Sequence, residues 1–101
     1  TVPLLSLGAK GVISVLSNVR PKRTLQMVRA CQAGDYAAAG RMQVALTPLI
    51  DALFSEINPI PVKQALSLMG IPAGLPRLPL TPLSATHLPA LEQALSAAPE
   101  P

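Results

Sequence analysis

The residues that could do chemistry are few and lie apart. The chain holds five carboxylates, three lysines, one histidine and one cysteine. Paired carboxylates serve general acid–base chemistry, but Asp35, Asp51, Glu56, Glu92 and Glu100 fall on separate segments. Asp51 and Glu56 are five apart and do not share a helix face, so ion pairs or solvent are their expected partners. His87 has no acidic neighbour in sequence to orient it and is expected on the surface or at a helix cap. Cys31, between Ala30 and Gln32, reads as a small buried or half-buried hydrophobe. One cysteine makes no internal disulfide, and His87 alone cannot complete a zinc cluster with it. A lysine can form a Schiff base, yet none of the three is placed for it. Lys10 leads into an apolar run, Lys22 sits in a basic cluster, and Lys63 points to solvent or pairs with Glu56. No glycine-rich phosphate loop is present, and no cofactor or metal site is implied.

Net charge is +3 and charged residues make up 13% of the chain. Part of the excess sits in Arg20-Pro21-Lys22-Arg23, which reads as a solvated helix start. Without interleaved aromatics or a recognition motif it does not predict nucleic-acid binding. No apolar run approaches the roughly 20 residues that span a bilayer. The start has neither an initiator Met nor the basic region of a signal peptide. With a lone cysteine, these features predict a reducing, cytoplasmic setting. The 101 residues suffice for one small domain.

The elements that would position these groups are mostly helices. Gly11-Val12-Ile13-Ser14-Val15 is the one run that predicts a β-strand, buried on both faces. No second strand follows to satisfy its backbone groups, so the chain reads as one corner of a larger fold. Before it, residues 2–7 predict a short helix stopped by Gly8. Residues 21–33 predict a helix with Leu25, Val28 and Cys31 inward, ended by Gly34, and Asp35 caps the next. Met42, Leu46, Leu49, Ile50, Leu53 and Phe54 form one apolar stripe on that next helix, which Pro48 should bend or interrupt. Asn58-Pro59 predicts a capped start for a helix burying Val62, Ala65, Leu66 and Met69, closed by Gly70. Residues 71–83 hold four prolines and predict an extended connection. Ser84 or Thr86 should cap a last helix through Leu88, Leu91 and Leu95.

Three blocks in order carry a resemblance: Gly11-Val-Ile-Ser-Val, Asn58-Pro-Ile-Pro-Val-Lys63 and Arg77-Leu-Pro-Leu-Thr-Pro-Leu83. Together with Ala33-Gly34-Asp35 and Leu68-Met69-Gly70 they resemble the C-terminal third of the 4-hydroxy-tetrahydrodipicolinate synthase (dihydrodipicolinate synthase) family. The resemblance implies an α/β fold, the C-terminal part of a (β/α)8 TIM barrel followed by a helical domain, mostly α within this chain. On that reading residues 1–20 hold the end of barrel helix 7 and barrel strand 8. Residues 21–101 hold the last barrel helix and the C-terminal helical domain.

The implied activity is that of a lyase. Pyruvate forms a Schiff base with a lysine on the sixth strand and is condensed with L-aspartate 4-semialdehyde, toward diaminopimelate and lysine. That lysine has no counterpart in this chain, so no catalytic residue is expected here and the chain alone is expected to be inactive. One substrate contact carries over, Ile13, as an apolar wall beside pyruvate. An isoleucine of the plain barrel core would look the same. The family also implies a homo-oligomer, tetramer or dimer, with subunits meeting near Leu7. The rival readings are another pyruvate aldolase, such as N-acetylneuraminate lyase or a keto-deoxy sugar acid aldolase, and a non-catalytic helical interaction fragment.

Overall fold

The computed structural model describes residues 1–101 and contains five α-helices and no strand. They are α1 (Val2–Ser6), α2 (Pro21–Gln32), α3 (Tyr36–Leu53), α4 (Ile60–Leu68) and α5 (Leu88–Ala97), with a 3₁₀ turn at Leu16–Asn18. The residues form two units: Thr1–Thr47 with Glu100–Pro101, and Pro48–Pro99. No helix is long and apolar enough to cross a membrane.

The helix ends follow local chemistry. α1, α2 and α4 each finish on a glycine with positive φ, Gly8, Gly34 and Gly70. At Gly34 the two closing bonds are Gly34 N–H to the Cys31 carbonyl at 3.0 Å and Asp35 N–H to the Ala30 carbonyl at 2.9 Å. This pairing satisfies two carbonyls that the helix would otherwise leave open. It needs a left-handed residue, which glycine adopts without steric cost. Asp35 then starts α3 as expected, its Oδ1 accepting the Ala38 N–H at 2.9 Å.

In the first unit, α1 and the 3₁₀ turn pack on α2. Leu5, Cys31 and Ala39 form a small buried cluster, with Val2, Val28 and Ala30 against it. The buried face of α2 is Thr24, Met27 and Cys31. Leu25 was predicted inward and is instead 47% exposed. The face is set by what packs on the helix, and Leu25 lies about 100° of rotation away from Thr24.

In the second unit α4 packs on α5. Leu49, Leu53, Ile60, Val62, Ala65, Leu91 and Leu95 are buried. The α3 stripe is kept through Leu46, Leu49 and Leu53, whereas Phe54 lies beyond the helix end and is exposed. Pro48 does not interrupt α3. Its missing N–H withdraws a bond from the Val44 carbonyl, and Val44 lies on an exposed face, where that loss is least costly.

Three expectations need correction. The run predicted as a buried strand is neither strand nor buried: residues 11–14 have no regular structure, and Val15 already has helical dihedrals. A strand requires a neighbour to complete its ladder, and no segment of this chain supplies one. α4 begins at Ile60 with Pro59 as its N-cap residue, so Asn58 is not the cap. α5 begins at Leu88 with His87 in the N-cap position, and neither Ser84 nor Thr86 holds it.

Candidate functional site

The segment of residues 9–15 is held firmly at both ends and open between them. At its start, the Ala9 N–H returns to the Leu4 carbonyl at 3.2 Å, closing α1. The Lys10 carbonyl accepts from Gln32 Nε2 at 3.3 Å. At its far end, the Ser14 hydroxyl accepts the Ser17 N–H at 3.2 Å, and the Ser17 hydroxyl donates to the Ser14 carbonyl at 2.7 Å. Asn18 Nδ2 donates to the Val15 carbonyl at 3.0 Å. These bonds turn the chain into the 3₁₀ helix and on to α2.

Between the two anchors, the backbone groups of Gly11, Val12 and Ile13 have no hydrogen-bond partner within the chain. Val12 is exposed and Ile13 is 106% exposed. A β-branched pair so placed, with an open ladder beneath it, presents surface suited to strands on either side. The predicted substrate contact Ile13 is therefore displayed outward.

Two further groups have structural places. Lys63 Nζ donates to the Ala73 carbonyl at 2.8 Å, so it neither points free to solvent nor pairs with Glu56. Cys31 is buried, as expected.

Glu56, Ser84 and His87 meet, an association that sequence distance concealed. One carboxylate oxygen of Glu56 accepts from the Ser84 N–H and hydroxyl, both at 3.0 Å, and from His87 Nδ1 at 2.8 Å. The expectation that His87 lacks an acidic partner is thus corrected. A nucleophilic triad needs the hydroxyl on the ring nitrogen remote from the carboxylate. Here Ser84 Oγ lies 3.1 Å from the same Nδ1, so the group is a knot at the start of α5 and not a triad. The only sequence signals were the Ser84–His87 spacing and a carboxylate just after α3.

The His87 hydrogen bond, followed by the Ser84 N–H, holds the Glu56 carboxyl below its ordinary value of 4.5. A carboxyl group lowered on folding contributes stability that is complete above the unfolded value and disappears as pH falls through the folded one. Glu56→Gln should therefore give a flatter loss of thermal midpoint between about pH 5 and pH 3 than the unaltered chain shows. Thermal melts across that range measure it. Equal slopes would mean that the knot carries no charge contribution.

The chain matches the Dihydrodipicolinate synthetase family over residues 1–98. A 4-hydroxy-tetrahydrodipicolinate synthase of an Exiguobacterium species is 51% identical over 96 residues, covering 91% of this chain and 33% of the relative. The solved dihydrodipicolinate synthase of Thermotoga maritima superposes with a TM-score of 0.90 at 43% identity, over 95% of this chain and 32% of that one. A chloride-inhibited dihydrodipicolinate synthase from Acinetobacter baumannii, solved in complex with pyruvate, gives 0.88 at 41% identity, over 95% and 33%. The chain thus spans about a third of the length of the relatives it matches.

Proposed function

The chain belongs to the dihydrodipicolinate synthetase family, and we propose on that footing that it supplies the closing part of a pyruvate-dependent, cytoplasmic lyase. The whole enzyme condenses pyruvate with L-aspartate 4-semialdehyde through a Schiff base in lysine and diaminopimelate biosynthesis. Residues 1–20 contribute the end of a barrel helix and the last barrel strand, and residues 21–101 the last barrel helix and the helical domain.

The observation that carries this reading is the open segment. Gly11, Val12 and Ile13 lie within the family match, their backbone is unpaired within the chain, and their side chains face outward. Barrel strands on both sides would complete the ladder and cover Val12. Ile13, near the mouth, would then stand as an apolar wall beside pyruvate and fix its orientation. The lysine that forms the imine comes from residues outside these 101, so its amine attacks the pyruvate carbonyl and water leaves without help from Lys10, Lys22 or Lys63. Leu4 on α1 and Leu7 just past its end are exposed, which supports a homo-oligomer whose subunits meet there. The test is to join residues 1–98 to the matching upstream part of a relative and ask whether borohydride fixes pyruvate to the product.

A further inference from the structure

The start of α2 has a charge problem that the chain solves from a distance. α2 has no acidic residue in its first turn and no side-chain cap at Arg20. Arg20, Lys22 and Arg23 put three positive charges at a helix end that already favours anions. Pro21 carries no N–H, which leaves the Lys22 N–H among the donors in need of an acceptor. Glu100, 78 residues on, provides it: one carboxylate oxygen accepts the Lys22 N–H. Lys22 Nζ donates to the Pro101 carbonyl at 3.2 Å.

The surroundings show that charge matters at this contact. Arg20 is only 5% exposed. Burial pulls its guanidinium below the ordinary value, the Glu100 carboxylate acts to raise it, and Arg23 acts to lower it. The second Glu100 oxygen is buried and accepts no hydrogen bond. A carboxylate oxygen placed so is costly unless nearby cations offset the lost hydration. Residues 99–101 also lie beyond the stretch matched by the family.

We propose that residues 100–101 form a strap, with the Glu100 carboxylate as a remote anionic cap that holds the start of α2 by charge. Its grip reaches the open segment's far anchor, because the Arg20 N–H bonds to the Leu16 carbonyl at 2.9 Å within the 3₁₀ turn. Salt or loss of the Glu100 charge opens the strap and frees the Lys22 N–H. The proposal does not depend on the catalytic reading.

The test is backbone amide exchange at Lys22 in the full chain, by NMR, for the unaltered protein, Glu100→Gln and Glu100→Ala. Amides of α4 serve as the control for global unfolding. Both variants should exchange about tenfold faster at Lys22, the scale of one lost hydrogen bond to a charged acceptor. Raising salt to about 1 M, where the screening length falls to ~3 Å, should speed exchange in the unaltered chain only. Unchanged exchange in both variants would overturn the proposal. So would a Gln variant that keeps the slow rate, since the bond would then hold without charge.

Discussion

Ile13→Ala leaves the stability of the isolated chain within about 0.5 kcal/mol of its starting value, as for any exposed site without special contacts. In the assembled enzyme the same change lowers kcat/KM for pyruvate about a hundredfold, the scale of a misplaced substrate. The contrast follows from exposure. Ile13 touches too little of its own chain to stabilise it, and its energetic role begins only when neighbouring strands and substrate surround it. Urea unfolding of the chain and pyruvate kinetics of the joined enzyme measure the two halves. If Ile13 were only barrel core, the joined enzyme would melt lower, and its kinetics well below the melt would be unchanged. That result would remove Ile13 from the substrate wall.

The second large effect lies in the other unit. Leu91 is fully buried on α5. Leu91→Ala removes three buried carbons and leaves a cavity, so it should cost about 3 kcal/mol, within the usual range for buried leucines. That is a large share of the roughly 5–15 kcal/mol typical of a folded domain. Leu78→Ala, at a residue that is exposed, is the matched control and should change stability by less than about 0.5 kcal/mol. Urea denaturation separates the two. Equal effects would mean that α5 does not carry the core of its unit.

Local chemistry was the most legible part of the sequence. Gly8, Gly34 and Gly70 marked helix ends because a left-handed residue there has few alternatives, and Asp35 marked a start because its short carboxylate reaches the Ala38 N–H. The inward face of α2 was less legible. Periodicity tells a helix that it has a face, whereas the packing of α1 and the 3₁₀ turn decided between Leu25 and Met27. Gly11 to Val15 was read correctly as a segment of strand-forming residues and wrongly as a strand in this chain. Residue type sets the preference, but the ladder has to come from a neighbour.

At the candidate site the same division holds. The resemblance pointed to Ile13, and the structure places it on an open, anchored segment. Glu56 and His87, and Glu100 and Lys22, were not legible as pairs, because 31 and 78 residues separate them and no periodic rule links such positions. The basic cluster was read as a solvated helix start. Arg20 is instead buried and the cluster is met by the chain's own carboxylate.

The central claim is that this chain supplies the closing strand and one wall of a pyruvate site. Its most direct test joins residues 1–98 to the upstream part of the Thermotoga maritima enzyme in place of that enzyme's matching third, followed by borohydride reduction with pyruvate and intact-mass measurement. The account predicts a folded chimera that gains the mass of one reduced pyruvate adduct per chain and condenses pyruvate with the semialdehyde. A chimera that folds, by circular dichroism and cooperative melting, and yet takes up no pyruvate would contradict it.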